Sequence, residues 1–200
     1  MSLPTPYIGH LTEEDYEHVY EPAEDSFILL DALEADAIPL RAARPSLCVE
    51  IGSGSGVVST FLMQLLGPNQ SLIIATDINP LACQATQKTS HANNVTVDLV
   101  QCNLLKPLLP RVDRGVDVLV FNPPYVPTDL AEFEQTQASA SLGGAWAGGS
   151  EGMGTTTTVI ELLSDLLSPQ GRFYLVAVEQ NRPQDIVARL QRQGLRSEVK

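Results

Sequence analysis

Asn122-Pro123-Pro124-Tyr125 closes an apolar run, Val116-Asp117-Val118-Leu119-Val120-Phe121. Two consecutive prolines remove two backbone donors and fix two φ angles, and they keep the preceding residue out of helical space. The Asn122 carboxamide is therefore held rigidly at the end of a strand. Its side-chain oxygen and the backbone carbonyl of Pro123 form an acceptor pair suited to both N–H hydrogens of a planar amide or aromatic amine. Such a nitrogen is a poor nucleophile because its lone pair is delocalised. Binding both hydrogens turns that pair toward an electrophilic carbon. Hydrogen bonds that strengthen as positive charge develops on nitrogen favour the transition state, and acceptors fixed in advance cost little reorganisation. Tyr125 is placed to stack on the flat face of a substrate, with Pro124 beside it.

A second constellation lies upstream. Glu50-Ile51 ends another apolar run, Gly52-Ser53-Gly54-Ser55-Gly56 turns, and a helical pattern follows. Glycines at such a turn let backbone approach a ligand closely. The next strand ends in Asp77, where a carboxylate can grip ribose hydroxyls. A nicotinamide-binding chain would read G-x-G-x-x-G. Here the third glycine comes one residue early and an acid leads the turn. The turn alone leaves a nucleotide cofactor and a purely structural bend both open.

These residues need a scaffold. Two hundred residues suit one domain with a sizeable core. "SLCVEI" (46–51), "SLIIAT" (71–76), "TVDLVQC" (96–102), "VDVLVF" (116–121) and "GRFYLVAV" (171–178) read as strands, and "LRSEVK" as the start of a sixth. Between them lie helical patterns. One has Phe27, Leu30 and Leu33 as its apolar stripe, and a second is closed by Gly67 and Pro68. A third opens at Pro80 and runs to about Asn93, a fourth spans about 157–167, and a fifth begins near Arg182. Alternation of this kind predicts an α/β fold, with a mostly parallel doubly wound sheet and helices on both faces. Ligands then sit beyond the carboxyl ends of the strands, at the switch point. Residues 1–19 read as a polar arm and 20–200 as the catalytic domain. Val126 to Met153 is one long irregular stretch, of the kind that usually carries function.

The bulk numbers exclude several classes. A net charge of −12, with no basic cluster, weighs against nucleic acid, whose binders need positive surface to displace counterions. An acidic surface suits a basic protein partner instead. No apolar run approaches the roughly 20 residues of a membrane span. The N-terminus lacks a secretory pattern, which predicts a cytoplasmic or nuclear protein. Cys48, Cys83 and Cys102 form no CxxC pair, and His10, His18 and His91 show no ligand spacing, so the cysteines read as reduced thiols.

"EIGSGSG" with "NPPY" at the end of strand four resembles the S-adenosylmethionine-dependent amino-methyltransferases that act on adenine, cytosine or glutamine nitrogen. "YEPAEDSFILLDAL" (20–33) and "AWAGGSEG" (145–152) narrow the resemblance to the HemK-like or PrmC-like release-factor glutamine methyltransferases, over about Val19 to Leu195. The chain is most similar to the short eukaryotic and archaeal branch, without the N-terminal helical domain of bacterial relatives.

That resemblance implies a Rossmann-like class I fold and S-adenosylmethionine as cofactor. It implies a Rossmann-like sheet finished by an antiparallel strand seven, which is not found before Lys200. The substrate it implies is the Gly-Gly-Gln glutamine of a translation termination factor. It implies a heterodimer with a small zinc-binding activator that pairs with the edge strand 96–102 and holds the only zinc. Carried over by position, Ser26, Glu50, Gly52, Gly54, Gly56, Asp77, Asn103, Leu104 and Asn122 surround the cofactor. Glu50 would brace the glycine loop and the cofactor's methionine by accepting N–H bonds, and Asn122, Pro123, Pro124, Tyr125 and Trp146 meet the substrate. Asn103 stands where the family usually has Asp, so one charged acceptor for the adenine amino group is replaced by a neutral one. A DNA adenine methyltransferase, a protein-lysine methyltransferase and an inactive cofactor-binding scaffold are the competing readings.

Overall fold

Short runs of branched and apolar residues, each bounded by a turn, form five strands in this computed structural model, which describes residues 3–124 and 152–200. They are β1 (Leu47–Ile51), β2 (Leu72–Asp77), β3 (Asp98–Gln101), β4 (Val116–Phe121) and β5 (Leu167–Leu175). The sheet order is β3-β2-β1-β4-β5, and all four pairings are parallel. Helices α1 (Glu13–Tyr16), α2 (Glu24–Ala35), α3 (Ala37–Ala43), α4 (Val57–Leu66), α5 (Pro80–Ala92), α6 (Leu109–Val112), α7 (Gly154–Leu166) and α8 (Pro183–Arg192) accompany the strands, with a 3-10 turn over Glu179–Asn181.

Alternation along the strands feeds two cores. Cys48, Ile73, Ala75, Val118 and Val120 face α2 and α4 through Leu29, Leu33, Phe61, Leu62 and Leu65. Val49, Ile51, Leu119 and Phe121 face the opposite way, onto Ile160, Leu163 and Leu166 of α7 and Ile186 of α8. The central strands β1 and β4 are thus buried on both faces, as a parallel sheet requires.

Register brings the chemistry together. Ile51 pairs with Thr76 on one side and with Phe121 on the other. The residues that follow, Gly52, Asp77 and Asn122, therefore emerge level at one end of the sheet. The strand order reverses its direction there, because β1 is flanked by β2 and β4.

Several expectations need correction. On α2 the buried stripe is Leu29, Leu30 and Leu33, whereas Phe27 is 40% exposed. The chain turns at Asp36 and starts a further helix, α3, in which Pro39 sits within the first turn, where no partner for its missing N–H is needed. β3 starts at Asp98, and β5 begins four residues before Gly171. Among the described residues no sixth strand forms; Leu195–Lys200 carries no regular structure.

Residues 3–19 are tied to the body. The Asn93 amide bonds both to the Tyr7 N–H (2.8 Å) and to the Tyr7 carbonyl (2.7 Å). Lys88 pairs with Asp15 at 2.8 Å. Leu11 and Val19 pack with Ala82 and Ala85 of α5. A surface groove of about 680 Å³ between this segment and α5 gathers His10, His18 and His91. Among the described residues no three His, Cys, Asp or Glu side chains are placed to hold a metal. Nor is any described helix long and apolar enough to cross a membrane.

Candidate active site

A cleft of about 260 Å³ opens beyond the carboxyl ends of β1, β2 and β4. The turn after β1 builds its floor. The N–H groups of Gly52 and Ser53 donate to the Thr76 carbonyl at 2.8 and 3.0 Å, anchoring the turn to β2. Gly54 has φ +52°, and apart from its chain neighbours a Cβ there would meet nothing within 4 Å among the described residues. It stands on the cleft wall with its open side free for a ligand. Gly56, at φ +78°, serves packing instead, because a Cβ would lie 2.6 Å from the Thr86 Cα. It lets α4 and α5 approach and does not line the cleft.

α5 braces the turn from behind. Thr86 Oγ1 lies 2.9 Å from Ser53 Oγ and 3.2 Å from the Gly54 carbonyl oxygen, and the Thr89 hydroxyl donates to the Ser55 carbonyl at 2.6 Å.

One carboxylate holds the turn on its other side. Asp77 accepts the Gly54 N–H at 3.0 Å and the Asn79 N–H at 2.9 Å. Burial nevertheless raises its pKa above the usual carboxylate value. Glu50 is 3% exposed, and burial pushes its pKa up to about 8. The sequence reading has Glu50 bracing the glycine loop; its described contact is instead the Ser59 N–H of α4, at 2.9 Å. It secures the helix that the loop feeds.

Ser26, Asn103 and Leu104 line the same cleft, as do Asn122, Pro123 and Pro124. Leu104 takes a left-handed φ of +52°, and the Cys102 N–H bonds to the Asp77 carbonyl at 2.9 Å, joining this segment to the end of β2. Tyr125 and Trp146 lie outside the described residues.

The Asn122 carboxamide is the chemical centre. Its Nδ2 donates to Asp25 Oδ2 at 3.0 Å. Its Oδ1 is buried and has no hydrogen-bond partner among the described residues. A buried carbonyl oxygen left unpaired costs about 1–3 kcal/mol. Such a cost is expected where a ligand supplies the missing donor.

The sequence reading missed Asp25, Tyr20, Asn79 and Thr155, all on the cleft wall. Asp25 did leave a signal. It lies four residues before Leu29 and eight before Leu33, in the register of the buried stripe. A carboxylate on the core face of a helix needs a functional explanation. Asn79 caps α5 by accepting the Leu81 N–H at 2.9 Å, while its Nδ2 donates to the His18 carbonyl at 2.8 Å. Thr155, whose hydroxyl oxygen is buried without a partner among the described residues, carried no signal in the sequence.

These residues fit S-adenosylmethionine. Gly52 and Gly54 leave a cradle that side chains would fill, Asp77 presents a carboxylate level with it, and Asn122 offers a free acceptor at the far side.

Comparison with known proteins agrees. The family model "Methyltransferase small domain" matches residues 24–139. Human "Methyltransferase HEMK2" is 47% identical over 191 residues, covering 96% of this chain and 86% of that protein. The "eRF1 methyltransferase catalytic subunit mtq2" of Schizosaccharomyces pombe is 41% identical over 203 residues, again covering 96% and 86%. Among solved structures, ribosomal protein L11 methylase from Lactobacillus delbrueckii subsp. bulgaricus superposes with a TM-score of 0.57 at 16% identity, over 90% of this chain and 76% of that one, a likeness of fold alone. Glycine turn, strand-end acid, proline-locked carboxamide and sequence kinship converge: the chain belongs to the Methyltransferase small domain family and is an S-adenosylmethionine-dependent methyltransferase.

Proposed function

We propose that this protein methylates the side-chain amide nitrogen of a glutamine in a translation termination factor, the glutamine of a Gly-Gly-Gln loop. The carrying observation is Asn122 Oδ1, a buried acceptor without a donor among the described residues, at the carboxyl end of β4. A glutamine amide has two N–H hydrogens. One would meet Asn122 Oδ1 and the other the Pro123 carbonyl. Held so, the nitrogen lone pair faces along the cleft. S-adenosylmethionine supplies an electrophilic methyl carbon when bound. The chain's own groups orient the nitrogen, and both acceptors hold its hydrogens more tightly as it gains positive charge. Kinship to a protein named as an eRF1 methyltransferase catalytic subunit supports this substrate.

The name of that relative also supports a second subunit. β3 pairs only with β2, so its other edge offers unpaired backbone groups among the described residues. Such edges are normally covered. A small zinc-binding partner that adds its own strand at β3 would cover it, with the pair acting in the cytoplasm and nucleus.

The test is transfer of labelled methyl to the termination factor, with the partner subunit present. Wild-type factor should take up label and its Gln→Ala variant should not. Asn122→Ala should keep cofactor binding and lose about 10²-fold or more in rate. Label on DNA or on lysine-rich tails, or unchanged turnover of the Asn122 variant, contradicts the reading.

A further inference from the structure

Asn122 can accept the substrate hydrogen only if its amide is the right way round. Rotated by half a turn, the carboxamide would point Nδ2 at the substrate nitrogen, donor against donor. Nothing in Asn122 or its prolines selects between these orientations, because the prolines fix backbone and not side chain. The selection comes from α2.

Asp25 Oδ2 accepts the Asn122 Nδ2 hydrogen at 3.0 Å. A carboxylate only accepts, so the amide edge facing it must be the NH₂ edge. The carboxylate is itself immobilised. The Tyr20 hydroxyl donates to the same Oδ2 at 3.1 Å. The Ser26 N–H donates to Oδ1 at 2.6 Å, with the Ser26 hydroxyl 3.3 Å from it. Asp25 is 9% exposed and sits in the first turn of α2, where the helix dipole favours negative charge. Donation to a charged acceptor is stronger than to a neutral one. It also polarises the amide, drawing electron density onto Oδ1, as linked hydrogen bonds do in a low dielectric.

We infer that Asp25, clamped by Tyr20 and Ser26, is the positioning residue that orients and polarises the Asn122 carboxamide so that its free oxygen receives the substrate N–H. This rests on the role proposed above for Asn122. It assigns Asp25 and Tyr20 to orienting the nucleophile, not to holding the cofactor.

The experiment is a double-mutant cycle read by single-turnover methyl transfer to the termination factor, with partner subunit present and cofactor affinity measured by calorimetry. Asp25→Ala should lower the rate about 10- to 100-fold, the loss expected when a charge-assisted bond is removed. Its cofactor dissociation constant should stay within about threefold of wild type, since the contact acts on the substrate side. Asp25→Asn keeps an acceptor oxygen in place and should recover the rate to within about tenfold of wild type. In the Asn122→Ala background neither Asp25 variant should cost more than about threefold, because the group through which Asp25 acts is gone. If Asp25→Ala does not fold, the Asp25→Asn cycle carries the same test.

Equal losses in both backgrounds would make Asp25 a general structural residue and overturn the inference. So would a loss confined to cofactor affinity, or an Asp25→Ala rate within about threefold of wild type beside a crippled Asn122→Ala. A fully active Asn122→Ala would instead overturn the role of Asn122 itself, so the two failures are distinguishable.

Discussion

Gly54 and Gly56 lie two residues apart in one turn, yet alanine should act on them through different quantities. At Gly56 the new Cβ would lie 2.6 Å from Thr86 Cα and 2.9 Å from Thr86 Cβ. Carbon atoms prefer about 3.5–4.0 Å, so the overlap is about 1 Å, and it falls on helix backbone that cannot swing aside. Overpacking of this kind costs about 1–3 kcal/mol. The left-handed backbone, at φ +78°, adds about 1–2 kcal/mol for a residue with a Cβ. The total of about 2–5 kcal/mol is a large part of the 5–15 kcal/mol typical of a domain. With a urea dependence of about 2 kcal/mol per molar, the midpoint should fall by roughly 1–2.5 M. At Gly54 nothing among the described residues, chain neighbours aside, stands within 4 Å of the added carbon, so the backbone strain remains, about 1–2 kcal/mol. That carbon enters the cleft, and cofactor affinity should fall at least about tenfold, the loss matching one disrupted contact. Urea titration and calorimetry on both variants decide. An unchanged midpoint for Gly56→Ala would refute the argument. So would a Gly54→Ala protein as unstable as Gly56→Ala that binds cofactor normally.

Further outcomes follow from the same geometry. Burial lifts Glu50 from its ordinary 4.5 to about 8, so the folded chain keeps a proton that the unfolded chain releases. Stability should therefore fall as pH rises from about 4.5 to 8; Glu50→Gln should flatten that slope by a few kcal/mol in urea titrations at pH 5 and 8.5, and parallel slopes would contradict this. Asp77→Ala should weaken cofactor binding about tenfold or more by calorimetry, with turnover at saturating cofactor little changed; equal dissociation constants would remove Asp77 from the cofactor site. Asn79→Ala removes the α5 cap and the bond to the His18 carbonyl together. A loss of about 2 kcal/mol in denaturant is expected, and an unchanged midpoint would show that residues 3–19 hold to α5 without it.

Much of this was legible in advance, for a definite reason. Strands buried on both faces are continuous apolar runs, and the residues that end them, Gly52, Asp77 and Asn122, stand out by type. Parallel register then places them level without further information. What stayed hidden depends on side-chain partners. Glu50 reads as a loop brace because it abuts the loop in sequence; only the course of α4 brings the Ser59 N–H to it. Asp25 reads as an acidic residue complementing a helix start, until the Leu29/Leu33 face is seen to continue through it. The break at Asp36 was obscured because Pro39, usually a stop, is harmless in a first turn. β5 looks shorter in sequence because Ser168-Pro169-Gln170 resembles a turn, whereas it forms an irregular stretch of strand against Val116 and Val118.

The hydroxyls of Thr86 and Thr89 have a thermodynamic corollary. By engaging the backs of residues 53–55 they leave the bend little to settle when ligand arrives. Occupancy should hence cost almost no ordering entropy at this point. The amide hydrogens of Gly52, Ser53, Gly54 and Gly56, each already bonded, should exchange slowly with solvent before any ligand binds.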